Sequence, residues 1–386
     1  MAERPRYDGG SIVNLMASII AADGGVSPYP CLEGLDVAAL RRARNIILIV
    51  VDGLGHEFLC AARAGAVMRR HLSRSMTSVF PPTTATAVTT FLTGLAPQQH
   101  GLTGWFVYFR ELGSIIRVLP FTTRLGSVPL ESMGVRAREL FAHPALCDRL
   151  RRRAFFVSPV RIAHSEFNRA HSGDARVEPY GTLEEFFLSI DTIVKRGGEP
   201  SFVYGYWPGL DHLAHVEGIG SEAVASHLGE LDAGLEGLLE GIKGTDSILI
   251  LTADHGFVDI APERILSLAD HPGLSDTLLL PLCGEPRTAY CYVWPERTAD
   301  FLSYVRDELG RYAVCVPSAE LIEEGYFGSG VAHPRLADRV GQYTLLMRDG
   351  YAIQDTLPGE ERFTPVGMHG GGSRAELLVP LIVAEA

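Results

Sequence analysis

The sequence predicts a parallel α/β sheet carrying an inserted α/β or β-rich cap. Three observations lead there. Asn45 to Gly53, NIILIVVDG, is an almost unbroken apolar and β-branched run, the composition of a strand buried on both faces. Further runs of this kind alternate with helical segments, which is the pattern of a parallel sheet with crossover helices. The stretch from about 270 to 360 breaks the alternation and is rich in Pro and Gly.

In chain order, Ile12, Leu15, Met16, Ile19 and Ile20 fall on one face of an amphipathic helix. Arg4 and Arg6 ahead of the apolar run Leu15 to Ala22 also resemble a secretory signal. Glu3 and Asp8 dilute the basic region, and Asn14 and Ser18 interrupt the run, so a structural helix and a cytoplasmic protein are expected. After the 45–53 strand, Phe80-Pro81-Pro82 is extended, because residues before Pro avoid the helical region. Thr84 through Leu92 suits a helix ended by Gly94. Arg151-Arg152-Arg153 reads as a solvated helix end before a strand at 154–159. Further strands are expected at 202–207, 247–256 and 377–384. A long helix from Glu222 to Ile242 carries Leu228, Leu231, Leu235, Leu238 and Leu239 on one stripe. Within the cap, a strand at 288–294 is followed by a helix from Pro295-Glu296. A strand pair near 343–353 has Asp349-Gly350 as its hairpin turn. The expected division is a catalytic domain of 1–269 plus 361–386, with 270–360 as the cap.

Composition narrows the function. The 386 residues suit two to three domains, or one large domain with an insertion. A formal charge of -12 argues against nucleic-acid scaffolding, which needs a basic face. No run approaches the ~18 apolar residues of a transmembrane helix. Six cysteines without a CxxC pair read as buried free thiols.

In parallel sheets, chemistry gathers at the carboxyl ends of strands. Asp52, Asp211 and Asp254 each follow a predicted strand. One such Asp is commonly a helix cap; three, two of them accompanied by His, ask for another account. WPGLDHLAH puts Asp211 and His215 on one helical face. TADHG supplies Asp254 and His255 at a strand exit, and GMHGGG flanks His369 with glycines that let backbone approach a ligand. Thr84 falls at a helix N-terminus, where amides and dipole stabilise an anionic oxygen and a phosphate. Three Asp, three His and a hydroxyl suit two divalent cations, Zn²⁺ being the best match, each with an open position. Two cations ~4 Å apart form a clamp for in-line displacement at phosphorus. The lone histidines His71, His143, His164, His171, His271 and His333 read as satisfied core or surface residues.

Taken together, IVVDGLG (49–55), FPPTTATAVTTFLTGLAPQQHG (80–101), DHLAH (211–215), TADHG (252–256) and GMHGG (367–371) resemble the alkaline phosphatase superfamily. Within it, the sequence is most similar to the nucleotide pyrophosphatase/type I phosphodiesterase branch. The resemblance implies a mostly parallel central sheet flanked by helices, with a capping insertion before the last His. It also implies that Asp52, Thr84, Asp254 and His255 hold one zinc, with Thr84 as nucleophile. Asp211, His215 and His369 would hold the other. Three positions depart from the family pattern. Ala85 stands where nucleotide-cleaving members carry Phe, and Trp105 where they carry a phosphate-binding Asn. Thr86-Ala87-Val88 replaces a Pro-Asn-His run. The metal positions are complete; the substrate-contact candidates, Ala85 and Trp105, are altered.

The expected activity is hydrolysis of a phosphodiester or pyrophosphate bond in a small phosphate ester, through a phosphothreonine intermediate. A phosphomonoesterase or phosphonate hydrolase would use the same metals, and a monoesterase would add an Arg for the dianion, with Arg110, Arg117 and Arg124 as candidates. A phosphosugar mutase ranks lower, a sulfatase lacks its Cys/Ser-x-Pro-x-Arg motif, and an inactive binding protein is disfavoured by the complete ligand set.

Overall fold

The computed structural model describes residues 3–361 and 364–386. Its main sheet has seven strands. From one edge these are Leu72–Thr77, Leu378–Glu385, Ser247–Thr252, Asn45–Val51, Ser201–Trp207, Arg153–Pro159 and Arg176–Tyr180. Asn45–Val51 is central and buried at every position, as its apolar composition requires. It pairs in parallel with Ser247–Thr252 on one side and Ser201–Trp207 on the other. Leu378–Glu385 runs antiparallel to both its neighbours, so the sheet is mostly rather than wholly parallel. The long helix spans Glu222–Gly241 and buries Leu228, Leu231, Leu235 and Leu238.

The N-terminal helix, Ile12–Ala22, differs from the one-faced helix expected of it: every residue but Ala21 is buried. Its polar side chains are satisfied inside the core. Asn14 Nδ2 donates to the Tyr7 and Pro30 carbonyls at 2.9 Å, and Ser18 Oγ accepts from Leu32 N–H at 2.8 Å. Arg152 is also not the solvated helix end expected. It is buried, pairs with Asp23 at 3.2 Å, and donates to carbonyls of Leu40, Arg41, Ala43 and Arg44, closing the C-terminus of the Val37–Arg42 helix.

A second seven-stranded sheet is antiparallel and stands over the carboxyl ends of the first. Four strands come from the 270–360 segment: Cys283–Glu285, Thr288–Cys291, Ala313–Pro317 and Tyr343–Met347. Three come from far earlier: Phe106–Phe109, Ser114–Arg117 and Thr122–Thr123. The two stretches join where Gly284 pairs with Phe106. Asp349-Gly350 is a turn but closes no hairpin. Tyr343–Met347 pairs within this sheet, whereas Ala352–Gln354 runs parallel to Ile265–Ser267. Arg287 Nη1 donates to the Arg348 and Tyr351 carbonyls on either side of the turn. The six thiols are free, but Cys31 and Cys60 are exposed rather than buried. No helix among the described residues is long and apolar enough to cross a membrane.

Candidate active site

Three adjacent strands place the three aspartates. Asp52 follows the central strand, Asp254 leaves Ser247–Thr252, and Asp211 lies in the helix Gly209–Glu217 after Ser201–Trp207. Parallel register brings these exits level, with Val51 opposite Trp207 and Val50 opposite Thr252. Two glycines permit the tight exits. Gly53 has φ +77, and a Cβ there would lie 2.4 Å from the Phe257 ring; at Gly256 it would lie 2.0 Å from the Ala375 carbonyl. A two-residue pairing of Val258–Asp259 with Gly367–Met368 brings His369 beside His255, their rings stacked 3.7 Å apart.

The resulting cluster is close-packed. His255 Nε2 lies 3.3 Å from Asp52 Oδ1, 3.5 Å from Asp254 Oδ2 and 3.9 Å from Asp211 Oδ1. Asp211 Oδ1 is also 3.4 Å from His215 Nε2 and 3.8 Å from His369 Nε2. Two sets have ligand atoms within mutual reach of a single ion: Asp52, Asp254 and His255, and Asp211, His255 and His369. His255 therefore stands between the sets, while His215 joins the second through Asp211. Carbonyls fix two of the rings, Gly367 bonding His215 Nδ1 at 2.9 Å and Gly256 bonding His255 Nδ1 at 3.1 Å.

Thr84 opens the ten-residue helix Thr84–Thr93, which ends at Gly94 with φ 69. Its Oγ1 is 3.2 Å from His255 Nε2. Thr83 occupies the N-cap position yet makes no side-chain cap; its hydroxyl instead donates to Glu285 Oε1 at 2.8 Å. The amides of Thr84 and Ala85, in the first turn, have no intrahelical acceptor.

Burial pushes the Asp52 carboxyl up to about 6, against the opposing hydrogen bond from Tyr206. Burial and the charge of Asp52 push Asp254 up to about 8. Asp211 is raised well above its usual range by burial and by the charges of Asp52 and Asp254. Burial lowers His215 to about 4 and depresses His255 and His369 as well. Asp52 Oδ1, Asp211 Oδ1 and Asp254 Oδ2 are buried without a hydrogen-bond partner. Acids that resist ionisation beside imidazoles that shed protons form a donor set lacking positive charge, which divalent cations fit.

The cluster opens into a cleft of about 730 Å³ between the two sheets, lined by Thr84, Asp211, His215, His369, Trp105 and Glu285 among others. Of the two substrate-contact candidates, Trp105 lines the cleft, while Ala85 is fully buried in the helix. Arg110 pairs with Asp338 at the surface. Arg117 and Arg124 line the cleft's far end, each 3.1 Å from Glu360 Oε1, and Arg124 lies over the Phe106 ring.

Residues 46–371 match the model of the type I phosphodiesterase/nucleotide pyrophosphatase family. The chain belongs to this family. It is accordingly a metal-dependent phosphoric ester hydrolase, on an alkaline phosphatase-type fold. Murine ectonucleotide pyrophosphatase/phosphodiesterase 5 shares the fold at 16% identity and a TM-score of 0.64, over 87% of each chain. An inactive variant of that protein has been solved in complex with AMP. Phosphonoacetate hydrolase from Sinorhizobium meliloti 1021, in complex with phosphonoacetate, is similar at 16% identity and a TM-score of 0.61, over 89% of this chain and 90% of that one. No curated protein matches in sequence.

Four side chains of this phosphodiesterase-family site escape the sequence motifs. Tyr206 Oη donates to Asp52 Oδ2. Glu285, raised to about 7 by burial, accepts from Thr83 and from Trp105 N–H. Arg287 and Glu376 form a buried bidentate pair at 2.7 and 2.9 Å, and Glu376 also accepts from Gly371 N–H at 2.8 Å. Tyr206 carried one readable signal, its place one residue before the end of a strand whose neighbour exits at Asp52.

Proposed function

We propose that the chain hydrolyses phosphodiester or pyrophosphate bonds with Thr84 as nucleophile. The observation that carries this reading is the convergence of the Asp and His cluster on a threonine hydroxyl at a helix N-terminus. Asp52, Thr84, Asp254 and His255 would hold one divalent cation, and Asp211, His215 and His369 a second; Zn²⁺ matches these oxygen and nitrogen donors best. Such cations supply Lewis acidity and offset negative charge at the reacting oxygens. Thr84 Oγ1 gives up its proton to solvent and attacks phosphorus in line; a new P–O bond forms as the bond to the leaving oxygen breaks, and that oxygen departs with the old bond's electron pair and takes a proton from solvent. The Thr84 and Ala85 amides steady the equatorial oxygens. Water then cleaves the phosphothreonine and restores the hydroxyl.

A diester or pyrophosphate is favoured over a monoester because the candidate arginines are already paired: Arg110 with Asp338 at the surface, Arg117 and Arg124 with Glu360 inside the cleft. Phosphonate hydrolysis is the second reading, favoured by the fold shared with phosphonoacetate hydrolase. A cytoplasmic location completes the proposal, in keeping with six unpaired thiols.

The test compares kcat/KM for a diester, a monoester and a phosphonate bearing one leaving group. The diester is expected to be the best substrate. A monoester preference above ~100-fold overturns the choice. Thr84→Ala is expected to abolish turnover while metal content stays near normal; full retained activity removes the nucleophile assignment.

A further inference from the structure

Glu285 stands apart from the metal cluster, yet it faces the same cleft beside the nucleophile's helix. Its side chain is held rigidly. Oε1 accepts from the Thr83 hydroxyl at 2.8 Å and from Trp105 N–H at 2.6 Å, and the residue is 8% exposed. Thr83 is the residue immediately before Thr84, so one bond ties the carboxylate to the start of the nucleophile helix. Glu285 lines the cleft with Thr84, Asp211 and His369, and its charge is felt at Asp211. The Trp105 bond lies where the strands Phe106–Phe109 and Cys283–Glu285 join, whereas the Thr83 bond ties the carboxylate to the nucleophile helix. The arrangement spends two donors on fixing an acceptor where phosphate chemistry calls for donors.

The charge balance gives this acceptor a consequence. Asp52, Asp211, Asp254 and Glu285 together neutralise two divalent cations. At the cleft's far end, the two cations Arg117 and Arg124 face two carboxylates: both bond Glu360, and Arg124 also lies beside Asp355. A monoanionic diester phosphoryl group therefore enters a balanced site. A dianionic monoester or phosphonate group brings a second negative charge against a fixed carboxylate, and both arginines that line the cleft among the described residues are already paired.

We infer that Glu285 is a specificity-determining residue that disfavours dianionic phosphoryl groups and so selects monoanionic diesters. Discrimination of this kind works by repelling the wrong substrate rather than by gripping the right one. The inference rests on the reading of Thr84 as a phosphodiesterase nucleophile and adds the charge class of the substrate to it.

The test uses the metal-loaded full chain at about pH 8.5, where the carboxyl is ionised. Glu285→Gln keeps an acceptor for Thr83 and Trp105 but removes the charge. It is expected to shift the kcat/KM ratio toward the monoester by about 10-fold or more, the scale of one removed like charge at a partly buried site. The dissociation constant of inorganic phosphate, measured by calorimetry, is expected to tighten by a similar factor. Glu285→Asp, which restores the charge, is expected to keep the wild-type ratio. An unchanged ratio in Glu285→Gln overturns the inference, including the case where both activities fall equally, as a purely structural role would produce. If Glu285→Gln fails to fold, Glu285→Ser is read by the same ratio and the same phosphate titration. If the wild-type protein cleaves neither substrate, the proposed function fails; if it is active and the ratio does not move, only this inference does.

Discussion

Tyr206 shows how a single hydroxyl sets the geometry of a proposed metal ligand. It donates to Asp52 Oδ2, which leaves Oδ1 directed at His255. Partners of this kind orient a ligand and raise its usefulness, and their loss typically costs about 10–100-fold in metal affinity. Tyr206→Phe is accordingly expected to weaken cation binding by that factor in a chelator competition, with little change in secondary structure. Unaltered affinity would show that Asp52 is oriented by its strand alone. The seven candidate ligand positions stand out in the sequence because each lies in a short motif whose local chemistry is unusual. Tyr206, Glu285 and Glu376 do not, because their partners lie 154, 202 and 89 residues away respectively. A lone Tyr or Glu carries no mark of the group it will meet across the fold.

At the scale of elements, the loop bearing His369 is held by the Arg287–Glu376 pair. Glu376 is the third residue of the short helix Arg374–Leu377 and closes a capping box with Ser373. The same carboxylate grips Gly371 N–H, two residues from His369. Arg287 lies between two strands of the second sheet, so the pair pins the loop bearing His369 to that sheet. Both side chains are essentially inaccessible to solvent. Removing one partner leaves a buried uncompensated charge, so Glu376→Ala is expected to lose about 3–5 kcal/mol in denaturant unfolding. Replacing both residues by Met is expected to recover much of that loss; a double variant as unstable as the single one would contradict the account. Hydrophobic patterning identified the central strands and the Thr84 helix, whose composition and Gly94 stop are decided locally. It failed for the 343–353 pair, because a strand pattern says where backbone is extended and not which strand it joins. The same limit applies to Arg152, whose role is defined by carbonyls of a helix more than a hundred residues earlier.

For the molecule as a whole, the acidic cluster couples stability to pH and to metal. Asp52 and Asp254 are raised from 3.8 to about 6 and about 8 in the folded metal-free protein. The unfolded chain therefore gives up these protons first as pH rises, and the carboxyl contribution to metal-free stability falls across that window, opposed below about pH 7 by the depressed histidines. Cations that bind the folded site reverse the trend, most effectively where protons no longer compete. Above the range where unfolded histidines titrate, chelated protein is expected to melt at a lower temperature at pH 8.5 than at pH 7.5, and Zn²⁺ to raise the melting temperature more at pH 8.5. Equal Zn²⁺ shifts at both values would disconnect the cluster from stability. The second sheet adds a constraint of a different kind. Its Phe106–Phe109 strand is laid down before most of the main sheet, yet its partner Cys283–Glu285 is made only after Ser247–Thr252 has emerged. During synthesis those early strands must wait as an unpaired edge, with the loop-closure entropy of the long intervening chain still to be met. The roof of the cleft thus closes late, the main sheet later still when Leu378–Glu385 enters it, and the fold acquires its cleft only when nearly the whole chain is present.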